Sequence, residues 1–266
     1  MLMQPQPKSK VILFDLDGTI YLNGELYPGV FELVEKLNQS DLKFAFLTNN
    51  STIGPRAFLN KLKKLGLNIG IGNVLTSAEA TCLMLKELNL GPEIYVLGTR
   101  KLKRYLAGRG FSHSYDKAKA VLVGFDTELN YRKLTEATRL LLKGLPLVAT
   151  HPDPVCPGPY PDAGMLLAYF MAASPNIQPL EIAGKPHRWI VRLICERFGV
   201  EMQETIMVGD RLDTDILFAN RFGMRSILVL NGLPVPELFY GHQPDVIAPE
   251  IAQLANRFWP ETLGWT

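Results

Sequence analysis

Cysteine is scarce in this chain. Cys82, Cys156 and Cys195 stand far apart, are odd in number and form no CxxC pair. That excludes a disulfide framework and a thiolate zinc site and leaves buried or idle thiols in a reducing compartment. Charge of one sign is equally lacking: the formal net charge is only +2 and no long basic block occurs, which argues against a nucleic-acid partner. The stretch Met1–Lys10 is polar, carries two prolines and has no apolar h-region, so it does not read as a signal peptide. No apolar run reaches the length of a membrane-spanning helix. A soluble, cytoplasmic protein with neither a membrane nor a nucleic-acid partner is expected. What is present is a hydrophobic share of 47% over 266 residues, enough for a substantial core in one large or two modest domains.

Strands and helices alternate along the chain. The apolar run Val11–Asp15 ends at an Asp-Gly turn. From Pro28 to Asn38, Val30, Leu33, Val34 and Leu37 share one helical face, and Lys43–Thr48 reads as the next strand. Pro55–Leu65 reads as a helix closed by Gly66. The same order returns near the end: a helix over His187–Phe198, a strand over Thr205–Gly209, a helix over Asp213–Phe222, a strand over Arg225–Leu230, a short strand at Asp245–Ile247 and a last helix over Pro249–Phe258. Between them, Ile94–Leu97, Ala120–Gly124 and Leu147–Thr150 read as strands, and Thr81–Leu88, Lys101–Ala107 and Tyr131–Lys143 as helices. Prolines 152, 154, 157, 159 and 161 exclude a central strand there and make that stretch a loop. The pattern predicts a parallel sheet covered by helices on both faces.

Four polar segments follow apolar runs. Asp15-Leu16-Asp17-Gly18-Thr19 places a carboxylate pair at the carboxyl end of a strand, where open α/β sheets bind ligands. One carboxylate can attack phosphorus while the other handles the leaving group's proton; taken alone, the segment is also ordinary turn chemistry. Thr48-Asn49-Asn50 offers a hydroxyl and adjacent N–H groups for phosphate oxygens, or simply a helix cap. Lys185, in Gly184-Lys185-Pro186, can offset phosphoryl charge, or be a solvated surface charge. Gly209-Asp210-Arg211-Leu212-Asp213-Thr214-Asp215 brings Asp210 to a strand end, and carboxylate oxygens suit Mg²⁺. Asp215 falls one helical turn beyond Arg211 and can orient Asp210 or metal-bound water. Asp213 fits a helix's first turn through the dipole, and Arg211 a nearby carboxylate.

In this order the four segments resemble the motifs of the haloacid dehalogenase-like (HAD) phosphatases, most fully the subgroup typified by the NagD and 4-nitrophenyl-phosphatase proteins, over nearly the whole chain. The resemblance implies a Rossmann-like parallel-sheet core with an inserted α/β cap. It implies that Asp15 is the nucleophile, forming an aspartyl-phosphate, and a magnesium ligand. Asp17 would be general acid, then base, and would lend a carbonyl to the metal. Thr48 and Asn49 would bind phosphate and Lys185 would stabilise its charge. Asp210 would be the other protein ligand to Mg²⁺, supported by Asp215. Mg²⁺ and Lys185 would counter the repulsion between carboxylate and phosphate ester.

The spacing places the second domain. The segment from Asp17 to Thr48 holds one turn, one helix and one strand, whereas that from Thr48 to Lys185 is too long for a single crossover. The core is therefore expected at residues 1–79 and 181–266 and the cap at 80–180. The cap would exclude surplus water and choose the leaving group. His151 and Asp153, in the Pro-rich loop ending at Tyr160, are its candidate substrate contacts, or parts of a plain connector. His113, His187 and His242 form no metal-ligand spacing; His187 reads as a helix start and Trp189 as packing. The expected substrate is a small phosphorylated metabolite (a sugar phosphate, glycerol phosphate or nucleotide), with 4-nitrophenyl phosphate turned over in vitro. A homodimer through the cap is implied by the resemblance. Rival readings are a phosphotransferase or phosphomutase of the same superfamily, a phospho-accepting signalling domain, and a catalytically silent binding protein.

Overall fold

In a computed structural model of the chain, Val11–Phe14, a strand of fully buried apolar residues, lies at the centre of a six-stranded sheet. The order is Val246–Ala248, Arg225–Val229, Thr205–Gly209, Val11–Phe14, Lys43–Thr48, Val74–Thr76. The central strand runs parallel to both neighbours, with Phe14 opposite Val208 on one side and Phe46 on the other. Thr205–Gly209 and Arg225–Val229 are buried at every position, as strands covered on both faces must be. The described residues are 8–156, 160–235, 241–257 and 259–265. The expected α/β class with a parallel sheet is what this chain adopts. The stretch read as free of a signal peptide lies mostly outside the described residues, and none of the described helices is long and apolar enough to cross a membrane.

Two compact units divide the chain. The first comprises Met1–Leu47, Leu59–Leu75 and Ile194–Thr266; the second, Thr48–Phe58 and Thr76–Leu193, interrupts it in sequence. Residues 80–180 fall wholly within the second. In the first unit, helix Val30–Asn38 buries Val30, Leu33, Val34 and Leu37, the stripe expected from the 3.6-residue period. Gly29 precedes it at φ +80, and a Cβ there would come within 2.5 Å of the Ala252 Cβ. Ala252 belongs to Ile251–Ala255, which is a 3-10 turn and not the α-helix expected over 249–258. The segment lies between Pro249 and Pro260, and its first N–H, on Ile251, is held by the Asn231 side chain at 3.0 Å. Phe258 lies outside the described residues.

The second unit carries its own five-stranded parallel sheet, ordered Pro179–Ile182, Leu147–Ala149, Val121–Val123, Glu93–Leu97, Ser112–His113. Tyr95, Leu97, Val121, Val123, Ala149 and Phe170 meet in its core. Its helices start where short polar side chains cap them: Thr99 accepts from Leu102 N at 3.1 Å and Asn130 from Lys133 N at 3.0 Å. Helix Ser77–Glu87 begins earlier than its apolar pattern suggests because Thr76 caps it. Helix Ala163–Ala173 has no counterpart in the sequence reading. The Pro-rich loop holds a two-residue hairpin, Val155–Cys156 against Tyr160–Pro161; Pro157, Gly158 and Pro159 lie outside the described residues. Cys82 behaves as the idle thiol expected, burial pushing its pKa up to about 12.

Candidate active site

The parallel ladder continues one bond past Phe14: Asp15 N donates to Val208 O at 2.8 Å. Asp15 and Asp210 therefore stand at the carboxyl ends of adjacent strands. Asp215 joins them, and ligand-competent carboxylate oxygens of Asp15, Asp210 and Asp215 all lie within 4.8 Å of one another. Asp15 and Asp215 are buried and Asp210 half-buried. Like charges at such separations repel by roughly 1–4 kcal/mol per pair. An all-oxygen anionic set of this kind fits a hard divalent cation, which turns the repulsion into binding energy. The same negative field acts on its surroundings. Burial first, and Asp17 and Asp15 next, raise the Tyr21 pKa well above the ordinary phenol value; Tyr27 is raised by burial and then by Asp210.

Local backbone choices hold these groups. Gly18 sits at φ +96, and a Cβ there would lie 2.4 Å from Asp210 Oδ2. Thr19 Oγ1 donates to Asp210 Oδ1 at 2.7 Å. Past Asp210, the helix expected from Asp213 opens instead with a π turn, Leu212–Ile216, before Leu217–Phe222 becomes α-helical. The Ile216 N–H reaches the carbonyl of Arg211, and the Arg211 N–H is taken by Asp215 Oδ2 at 3.2 Å. The wider turn directs Asp215 back toward the strand, where its carboxylate fills the space a Gly209 side chain would need. Arg211 pairs with Asp213 at 2.9 Å, the carboxylate partner expected for it.

A Cβ at Gly209 would fall 2.2 Å from Asp215 Oδ2 and 2.4 Å from its Cβ. Gly209→Ala must therefore displace Asp215 together with some of its backbone. We expect it to destabilise the protein by about 1–3 kcal/mol in urea unfolding, and to weaken divalent-cation binding in a calorimetric titration.

Asn231 was not singled out by the sequence reading. At φ 47 it donates through Nδ2 to the carbonyls of Gly18 at 3.0 Å and Thr19 at 3.1 Å, tying down the loop that carries Asp17. Its signal was an Asn-Gly pair after an apolar strand. Tyr21 was also missed. An isolated β-bridge pairs it with Asp17, and its strand turns back at Asn23-Gly24, both at positive φ.

The other expected site residues lie on the second unit. Thr48 ends the strand Lys43–Thr48, is buried, and accepts from Asn50 N at 3.0 Å. Asn49 and Lys185 are brought together: the Lys185 N–H donates to Asn49 Oδ1 at 2.8 Å, and Asn49 Nδ2 donates to Lys185 O at 3.0 Å and to Asp153 Oδ2 at 2.7 Å. Lys185 is 1% exposed, so it is no solvated surface charge. A Cβ at Gly184 would meet Asn49 Oδ1 at 2.5 Å, which explains a glycine there. His151 is fully buried, with Nδ1 against Thr150 Oγ1 at 2.7 Å and Nε2 against Asp162 Oδ1 at 2.8 Å. Both ring nitrogens are thus engaged within the fold, which makes His151 a structural residue and not the substrate contact considered above. Trp189 is buried and donates to Glu181 Oε2 at 2.9 Å, as packing requires, and helix Arg188–Phe198 starts directly after His187.

Two family models match the chain, a haloacid dehalogenase-like hydrolase over residues 12–112 and a HAD-hydrolase-like model over residues 182–254. A dihydroxyacetone phosphatase of Corynebacterium glutamicum (strain R) is 31% identical over 257 residues, 95% of this chain and 92% of its own. The crystal structure of a 4-nitrophenylphosphatase from Thermotoga maritima superposes with a TM-score of 0.87 at 36% identity, covering 93% of this chain and 96% of that one. NagD from E. coli K-12 does so with a TM-score of 0.83 at 28% identity, covering 93% and 98%. Matched across both segments that carry its clustered carboxylates, this chain belongs to the haloacid dehalogenase-like hydrolases and is a phosphoric monoester hydrolase of their NagD and 4-nitrophenylphosphatase subgroup.

Proposed function

We propose that this phosphatase is Mg²⁺-dependent and works through an aspartyl-phosphate on Asp15. The observation that carries the reading is the convergence of Asp15 and Asp210, at the ends of adjacent parallel strands, with Asp215 of the π turn. Asp15, Asp210 and the Asp17 carbonyl would hold Mg²⁺, with Asp215 supporting Asp210. Bound there, the ion supplies electrostatic stabilisation of the transferring phosphoryl group.

In the first half-reaction a carboxylate oxygen of Asp15 bonds to phosphorus as the ester P–O bond breaks, and Asp17 gives its proton to the departing alkoxide. In the second, Asp17 takes a proton from a water molecule as that water attacks the same phosphorus. Phosphate leaves and Asp15 is regenerated. Thr48 and Asn49 bind phosphoryl oxygens, and Lys185 balances their charge. Residues 80–180 act as the cap that selects the leaving group from small phosphorylated metabolites such as sugar phosphates, glycerol phosphate or nucleotides. The dihydroxyacetone phosphatase relative supports a small polar leaving group.

The test is phosphate release from a panel of esters, 4-nitrophenyl phosphate included, with Mg²⁺ and with EDTA. Turnover is expected to fall by at least about 100-fold in EDTA and to return on adding Mg²⁺. Full turnover in EDTA would refute the metal requirement. Transfer to an added alcohol in preference to water would make the protein a phosphotransferase. A stable phosphoprotein without turnover would make it a signalling domain.

A further inference from the structure

Two neighbouring parallel strands of the second unit, Leu147–Ala149 and Pro179–Ile182, end side by side. Their ladder runs on past both ends: Ala183 N donates to Ala149 O at 3.0 Å and Gly184 N to Thr150 O at 2.7 Å. The segments that follow, one carrying Asp153 and the other Lys185, therefore leave from the same edge of the sheet. The first is fastened from behind. Gly164 N donates to Asp153 O at 2.8 Å, and Asp162 N to Pro154 O at 2.9 Å. A Cβ at Gly164 would fall 2.0 Å from Pro152 O, so only glycine lets the loop lie this close to the start of helix Ala163–Ala173. Asp153 is held in place there, 5% exposed.

Asn49 bridges the two segments, and its amide has one orientation that suits its neighbours. Two acceptors face Nδ2, Asp153 Oδ2 at 2.7 Å and Lys185 O at 3.0 Å, and one donor, Lys185 N, faces Oδ1 at 2.8 Å. Turned over, the amide would set its oxygen against a carboxylate and its hydrogens against an N–H. The bond to Asp153 is charge-assisted, which makes that exchange the more costly. Ser77 Oγ donates to Asn49 O at 2.6 Å, so the main chain of Asn49 is held as well. Both amide hydrogens are engaged within the fold, and the group Asn49 can offer a phosphoryl oxygen is its main-chain N–H.

We propose that Asp153 is a positioning residue for the phosphate-binding pair Asn49 and Lys185, and not a contact to the leaving group. Its carboxylate fixes the Asn49 amide. The amide then clamps the main chain of Lys185 at both its N–H and its carbonyl, which sets the direction in which the lysine side chain departs. The effect of Asp153 therefore falls on the phosphoryl end that all substrates share.

The inference rests on Asn49 and Lys185 binding the phosphoryl group, and the experiment separates the two. Inhibition by inorganic phosphate reports affinity for the phosphoryl end alone. kcat/KM is compared for glycerol 3-phosphate, a hexose 6-phosphate and 4-nitrophenyl phosphate, which share that end and differ in leaving group. Asp153→Ala should raise the phosphate Ki about ten-fold and lower kcat/KM by a similar factor on every ester, the losses agreeing within about three-fold. Asp153→Asn, whose amide oxygen can still accept from Asn49 Nδ2, should keep at least about a third of the parent's phosphate affinity. Asn49→Ala should match Asp153→Ala, and the double variant should lose no more than either alone, because both break one bridge. Asp153→Ser, which is shorter by one atom, serves as the readout if the alanine variant does not fold. Lys185→Met should raise the phosphate Ki by at least about ten-fold. With that rise seen, losses confined to one leaving group, additive losses in the double variant, or Asp153→Asn no better than alanine would each overturn the positioning role alone. An unchanged phosphate Ki for Lys185→Met would overturn the phosphate-site reading and the positioning role with it.

Discussion

Asp15→Asn is expected to lower phosphate release by at least about 1,000-fold while leaving the fold intact. An amide does not attack phosphorus to form an acyl phosphate, so the first half-reaction is lost. The shape of the side chain hardly changes, and the N–H of residue 15 keeps its bond to Val208 O. The stability effect has a definite sign. In the absence of metal, Asp15, Asp210 and Asp215 repel one another within 4.8 Å. Removing one of three charges relieves two of the three repulsive pairs, so the metal-free variant should be more stable than the metal-free parent by about 1–3 kcal/mol. With Mg²⁺ present the order should reverse, because the variant has lost a charged ligand and the linkage stabilisation that goes with it. Thermal unfolding in EDTA and in saturating Mg²⁺, beside a phosphate-release assay, checks all three expectations. Retained turnover would remove Asp15 from the role of nucleophile. A metal-free variant less stable than its parent would mean that the cluster is not held together against charge repulsion.

What the sequence revealed of this site follows a physical division. Residues whose positions depend on the local chain were legible. The short apolar runs Val11–Phe14 and Thr205–Gly209, and the polar residue that follows each, are enough to place Asp15 and Asp210 at strand ends. Positions set by side chains returning from elsewhere were not. The π turn at Leu212–Ile216 exists because Asp215 bonds back to Arg211 N and packs on Gly209, and no local propensity encodes it. Helix Ala163–Ala173 escaped for a different reason: AGMLLAYFMAA is apolar nearly all round, so it lacks the alternation that marks a half-buried helix. Its N-cap, Asp162, was the available signal. The Tyr21 hairpin and the Asn231 tether were encoded locally, each by an Asn-Gly pair that permits positive φ.

Asp162 carries the second large expected effect. Asp162→Ala should destabilise the protein by about 3–5 kcal/mol, read from urea unfolding. Asp162 is 4% exposed, and its Oδ1 accepts from His151 Nε2 at 2.8 Å and from Ala163 N at 2.6 Å. One carboxylate thus pairs a fully buried imidazole and caps a helix. The proton arrangement decides how much the pairing contributes. Thr150 Oγ1 donates to Ser51 Oγ at 3.0 Å, which spends its only hydrogen. In that arrangement it accepts from His151 Nδ1, and the carboxylate accepts from Nε2. With the Thr150 hydrogen on Ser51, both ring nitrogens carry hydrogen and His151 is an imidazolium paired with Asp162; with that hydrogen turned to Nδ1, the imidazole is neutral. Alanine would strand that cation and uncap the helix; the cap alone is worth about 1 kcal/mol. Asparagine separates the two contributions, because its amide oxygen can still accept from Ala163 N and from the ring but carries no charge. Asp162→Asn should therefore lose most of what alanine loses, beyond the cap. If asparagine costs less than about 1 kcal/mol, the imidazole is neutral, and Thr150 receives its hydrogen bond from Ser51 instead of donating one.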